Sequence, residues 1–199
     1  MELVEHGHGT HVHGHTMSAA QKNHLLKFGW WVYIASEVML FSSLLGTFVL
    51  AKRLHPEGGE HLNVPITTFN TFLLLMSSWT VVRALAAVHE GDPKSLSRFL
   101  FLSLSLGTIF VAIQGYEYIK LSHEGLTLHG DMYGSAFYVL TGFHGAHVAI
   151  GVGWLIWAFF KSLNGYFTPE HYIGIEILGL YWHFVDVVWI FLFPIIYLL

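Results

Sequence analysis

Cysteine is absent from the 199 residues. That single lack removes disulfides, thiolate metal sites, iron–sulfur clusters, covalent c-type haem attachment and prenyl or palmitoyl anchors together. Charge is scarce as well: Asp, Glu, Lys and Arg make up 11% of the chain, where a soluble domain carries about 25%. The formal net charge of -4 and a pI near 6.4 leave no basic excess to neutralise phosphates, so nucleic acid is excluded as a partner. Of five prolines, Pro56, Pro65, Pro93 and Pro169 fall between apolar runs, where a residue without a backbone donor belongs, and only Pro194 lies inside one, near its end. The first 23 residues contain Glu2 and Glu5 and no continuous apolar stretch, so a cleavable secretory signal is not expected. The first apolar run then serves as an uncleaved insertion signal.

What the chain does have is apolar surface. Hydrophobic residues reach 54% and the mean hydropathy is +0.54, the composition of an integral membrane protein. Runs long enough to cross a hydrocarbon core of about 30 Å stand at residues 28–51, 67–89, 99–120, 133–160 and 174–197. The fold class predicted is all-α, a bundle of five transmembrane helices over residues 24–199, preceded by a disordered His-rich tail over residues 1–23. Short connections make consecutive helices antiparallel neighbours. Basic residues near the span ends divide as Lys22, Lys27, Lys94, Arg98 and Lys161 on the N-terminal side against Lys52, Arg53 and Lys120 on the other. This bias favours a cytoplasmic N-terminus and an external C-terminus. In the fourth span Gly145, Ala149 and Gly153 recur every four residues, with Gly142 and Ala146 beside them. Small residues at this spacing let helices approach closely, which places the fourth helix near the bundle centre.

The polar residues inside these runs carry the functional information, because an ionisable group at the bilayer centre costs about 2.5–3.5 kcal/mol on insertion scales and so faces protein or water. Tyr181-Trp182-His183-Phe184-Val185-Asp186-Val187-Val188-Trp189 sets His183 and Asp186 three apart on one helical face, within hydrogen-bonding reach, with Glu176 two turns before His183. Glu37 lies well below the interface in the first span. It is the best candidate for a proton-linked or partner-contacting group, against the plainer role of a protonated packing contact. Gln114 and Glu117, near the end of the third span, suit structural hydrogen bonding, Glu117 being shallow enough to reach water. Asp131 is placed to cap the fourth helix. His144, His147 and His183 offer three imidazoles, so a haem or copper site stands as the sharp alternative. An independent proton channel built on Glu37 is another. The tail histidines His6, His8, His11, His13 and His15 would bind divalent transition metals weakly whatever their purpose.

These segments also match a family. Ala35-Ser36-Glu37-Val38-Met39-Leu40-Phe41, Asn70-Thr71, Gln114-Gly115-Tyr116-Glu117-Tyr118, Asp131-Met132-Tyr133-Gly134-Ser135, Thr141-Gly142-Phe143-His144-Gly145-Ala146-His147-Val148 and the nonapeptide from Tyr181 to Trp189 occur in order and in the right spans. Over residues 24–199 the chain resembles subunit III of the haem-copper oxidases, above all of cytochrome c oxidase. The resemblance implies a bundle without cofactors of its own, packed in the bacterial inner membrane against catalytic subunit I, which holds haem and copper, with subunit II and phospholipid as further partners and a respiratory supercomplex as a wider assembly. It implies a supporting role in proton uptake and enzyme stability, with Glu37 at the position of the family's carbodiimide-reactive glutamate. It also implies that His144, His147, His183 and Asp186 are inter-helix contacts rather than ligands. Quinol oxidases and nitric oxide reductases have similar third subunits. Longer members have seven spans, so this chain resembles the short five-helix form, and the paired histidines of mitochondrial members have no counterpart at Leu85-Ala86.

Overall fold

The computed structural model describes residues 18–55 and 62–198, so the tail histidines His6, His8, His11, His13 and His15 lie outside the described residues. Among the described residues five helices follow one another: α1 (Ala19–Leu54), α2 (Val64–His89), α3 (Pro93–His123), α4 (Met132–Leu163) and α5 (Ile173–Phe193), with a closing π-helical turn over Pro194–Leu198. All five are long and apolar enough to cross a membrane. Helix satisfies every backbone donor internally, which hydrocarbon cannot do, so long apolar runs have little alternative.

The helices outrun the apolar stretches. α1 has 36 residues, about 54 Å at 1.5 Å per residue, and begins five residues before the boundary at residue 24. Its start is fixed by polar chemistry: Ser18 Oγ accepts from the Gln21 amide at 3.2 Å while the Gln21 side chain accepts from the Ser18 amide at 3.0 Å, a reciprocal capping box. Asn63, Asp92 and Asp131 cap α2, α3 and α4 in turn. The Asp92 carboxyl, outside the spans, is held below the usual carboxylate range chiefly by the Ser95 hydroxyl at 2.6 Å. Its cap is therefore present above the ordinary carboxylate pKa and lost only as the pH falls through the depressed value. Asp131 Oδ1 accepts from the Gly134 amide at 2.7 Å. Replacing Asp131 by Ala should cost about 1 kcal/mol, read as a lower unfolding midpoint of the purified chain, whereas Asn, whose amide oxygen can accept the same bond, should keep most of the stability. α2 and α3 end in a left-handed residue, Gly91 (φ 71°) and Gly125 (φ 97°), whose following amides return to Ala87 and Leu121 carbonyls.

The centre of the bundle is α5, not α4. In the most apolar stretch of α5 56% of residues are buried, against 33% in α4 and 17% in α1, and α5 packs on α1, α2 and α4. The expected small-residue seam of α4 is not a seam: a Cβ added at Gly142, Gly145 or Gly153 would meet nothing within 4 Å. The close approaches between helices are at Gly151 of α4 and Gly107 of α3, which hold the indole of Trp182 between them. Beyond Pro194 the chain is tied back by Lys52 of α1, whose Nζ donates to the Ile195 and Ile196 carbonyls at 3.2 and 3.1 Å.

Candidate functional site

Glu37 stands at the midpoint of the membrane span Ala20–Leu54, and His147 close to that of Met132–Leu163. Antiparallel packing of α1 on α4 brings them together: Glu37 Oε2 lies 3.3 Å from His147 Nε2, the two side chains 17% and 14% exposed. The His147 ring is oriented by its own helix, Nδ1 standing 2.7 Å from the Phe143 carbonyl. A carbonyl only accepts, so Nδ1 carries the hydrogen, and Nε2 of the neutral ring presents its lone pair to Glu37. One proton then suffices for the pair, on the carboxyl when both groups are neutral and on Nε2 when they form an ion pair. The contact is longer than the roughly 2.7–2.9 Å of a strong charge-assisted bond, and among the described residues Oε2 has no aligned hydrogen-bond donor. It is an electrostatic contact that closes into a hydrogen bond only with a small shift.

Around this pair the three helices α1, α4 and α5 meet through aromatic rings. Phe41, one turn beyond Glu37, packs edge-on against His147 at 5.2 Å and against Phe184 of α5 at 6.1 Å. Tyr181 donates its hydroxyl to the His147 carbonyl at 2.9 Å, and Trp30, Trp154 and Tyr181 form a cluster with centroids 5.3–6.4 Å apart. On the other side of Glu37 an apolar groove of about 340 Å³ runs between α1 and α5, lined by Val38, Phe41, Leu45, Phe184, Val187 and Phe191 among others. Val38, next to Glu37 in sequence, and Phe41, one turn on, both line this groove.

The remaining polar residues are separated. Glu176 accepts from Lys27 at 2.7 Å, tying the start of α5 to α1. His183 does not bond Asp186. Its Nδ1 is 2.6 Å from Ser78 Oγ of α2, and both Asp186 oxygens are buried without a hydrogen-bond partner among the described residues. The i, i+3 spacing put the two on one face, but α2 supplies a hydroxyl closer than one helical turn does. His144 is enclosed by rings, stacked on Trp189 at 4.8 Å and edge-on to Phe110 at 6.1 Å, and among the described residues neither of its ring nitrogens has a hydrogen-bond partner. His147 therefore faces a carboxyl, His144 aromatic rings and His183 a hydroxyl, and the three imidazoles do not converge. Among the described residues no cluster of three or more His, Cys, Asp or Glu is placed to hold a metal.

Glu117 does not reach water. It is 4% exposed and accepts from Thr67 at 3.0 Å, because Tyr197 of the C-terminal turn lies against it. Gln114, equally buried, makes no side-chain hydrogen bond among the described residues. Sequence reasoning missed the serines and threonines of α2: Ser77 accepts from Trp182 Nε1 at 2.9 Å, Thr71 from Trp189 Nε1 at 2.9 Å, and Thr80 bonds Ser103 of α3 at 2.6 Å. The available signal was their spacing, since Thr67, Thr71, Ser78 and Ser77, Thr80 recur at three, four and seven on faces that meet α5 and α3.

Across residues 5–199 the chain matches the family model described as cytochrome c oxidase subunit III. The chain belongs to the cytochrome c oxidase subunit III family. A relative named cytochrome c oxidase subunit 3 from Bos taurus is 40% identical over 194 residues, covering 92% of this chain and 72% of its own length. A relative from Nocardia farcinica, named probable cytochrome c oxidase subunit 3, is 37% identical over 178 residues, covering 87% of each chain. Membership of the subunit III family implies association with other oxidase subunits.

Proposed function

We propose that this chain is the accessory subunit III of a bacterial aerobic terminal oxidase of the cytochrome c type, which reduces dioxygen to water and pumps protons. It carries no redox centre itself. It packs against the catalytic subunit I, which holds haem and copper, with subunit II in the same complex and phospholipid on its membrane face. It supports proton uptake and the stability of the catalytic subunit. The N-terminus is cytoplasmic and the C-terminus external in the inner membrane. The 24–199 bundle carries this role, and Glu37 is its proton-linked group.

The observation that carries this reading is the Glu37–His147 pair: a carboxyl at mid-span, near an apolar groove between α1 and α5, whose imidazole partner presents its Nε2 lone pair to it. Glu176, His183 and Glu117 tie neighbouring helices together through Lys27, Ser78 and Thr67, Asp131 caps α4, and Asp186, His144 and Gln114 are structural polar groups of the bundle interior. Solubilisation in mild detergent should bring down a larger chain bearing haem and copper, with an oxidised-minus-reduced spectrum of a terminal oxidase. A Soret band or stoichiometric copper in the separated chain, surviving deletion of residues 1–23, would overturn the accessory assignment. Turnover with quinol and not with reduced cytochrome c would move the complex to the quinol class.

A further inference from the structure

Arg83 is an exposed charge inside a membrane span. It lies six residues before the end of α2, about 9 Å from that end at 1.5 Å per residue, and its guanidinium stands 5.4 Å from the Phe99 ring of α3. Trp79, one turn deeper and 53% exposed, packs edge-on to the same ring at 6.4 Å. Arg98, also exposed and next to Phe99, sits five residues into α3, so the antiparallel hairpin holds both arginines at one level. Among the described residues no carboxylate lies within ion-pair distance of either. The acid nearest Arg83 in sequence is Glu90, seven residues on at the end of α2, and the acid nearest Arg98 is Asp92, whose carboxyl feels the Arg98 charge but is engaged with Ser95 and the start of α3. Below this level the surface is apolar, with Val82, Phe101 and Leu102 exposed.

The geometry points to a binding site on the α2–α3 face for the phosphate of an anionic phospholipid, Arg83 and Arg98 holding the headgroup while the acyl chains run over Trp79 and Leu102. A guanidinium this deep must reach an anion at the interface by extending its stem, and its planar fork matches phosphate oxygens bidentately. Phe99 restrains the Arg83 head from the apolar side, which fixes where the phosphate sits. The site lies away from the Glu37 groove and rests on the proposed function only in taking phospholipid as ligand.

The test uses the full chain with whatever subunits co-purify, exchanged into micelles doped with phosphatidylglycerol or phosphatidylcholine, with bound lipid counted by native mass spectrometry. The wild type should prefer phosphatidylglycerol, and Arg83→Gln and Arg98→Gln should each reduce that preference about fivefold. Lys161→Gln, a charge removed on the same side of the membrane, should leave it intact. Arg83→Lys should fall between, since it keeps the charge without the fork. Equal loss in Lys161→Gln would make the preference a diffuse field and overturn the site. So would release of a co-purifying subunit by Arg83→Gln with lipid unaltered, since a protein then covers this face. Displacement of the lipid by millimolar inorganic phosphate would reassign it to a free anion. Retention of phospholipid indifferent to both arginines overturns this site alone, whereas a wild type that retains no phospholipid at all removes the lipid partner from the proposed function too.

Discussion

In the assembled oxidase, Glu37→Gln should slow proton uptake several-fold while the complex remains assembled. The amide is isosteric and donates to Nε2 of His147, so the α1–α4 contact survives, but it neither gains nor loses a proton in turnover. His147→Leu is predicted to slow uptake similarly and to destabilise as well, by about 1–3 kcal/mol, because it leaves a half-sequestered carboxyl with no partner. The double variant should be no slower than either single one, since both substitutions remove the same shared proton, and non-additivity of this kind is the mark of a pair acting as a unit. Stopped-flow uptake with a pH indicator separates the possibilities, with thermal unfolding of the complex as the control for folding. Wild-type uptake in Glu37→Gln across the pH range would reduce the pair at 3.3 Å to a packing contact. A proton leak in liposomes containing the chain alone, abolished by Glu37→Gln, would instead favour an independent channel.

What the sequence made legible follows the strength of the physical penalty. Hydrocarbon tolerates neither open backbone nor lone charge, so five spans and the exceptional character of Glu37, His183 and Asp186 stand out in a chain that is 11% charged. Partners are another matter, because they are set by packing between distant segments. Asp186 and His183 share a face by spacing, yet His183 bonds Ser78, 105 residues away. Likewise Lys27 and Glu176 meet across 149 residues at 2.7 Å, a tie that no local pattern announces. The glycine pattern misled for a related reason. Spacing shows that Gly145 and Gly153 share a stripe, not which way the stripe points, and in the structure that stripe meets open space.

That distinction yields the largest stability effect expected of this chain. At Gly151 an added Cβ would stand 2.6 Å from Trp182 Cζ3 and 3.1 Å from Tyr181 Cε1, and at Gly107 2.8 Å from Trp182 Cη2. The indole cannot step aside, being fully buried and fixed by its Nε1 hydrogen bond to Ser77 at 2.9 Å. Gly→Ala in a helix gains about 1 kcal/mol of propensity, against an overpacking cost of about 1–3 kcal/mol. Gly151→Ala and Gly107→Ala should therefore destabilise the purified chain on balance, and Val at either position far more. Gly145→Ala, with nothing within 4 Å, should be neutral or stabilising by up to about 1 kcal/mol. Trp182→Ala should cost about 3–5 kcal/mol. Trp182→Phe removes the outer edge of the ring that Gly107 faces, so it should cost less alone and should rescue Gly107→Ala, a coupling that denaturant unfolding in micelles measures directly. Destabilisation by Gly145→Ala equal to that by Gly107→Ala would return the seam to the α4 stripe and unseat Trp182 as the wedge that holds α3, α4 and α5 together.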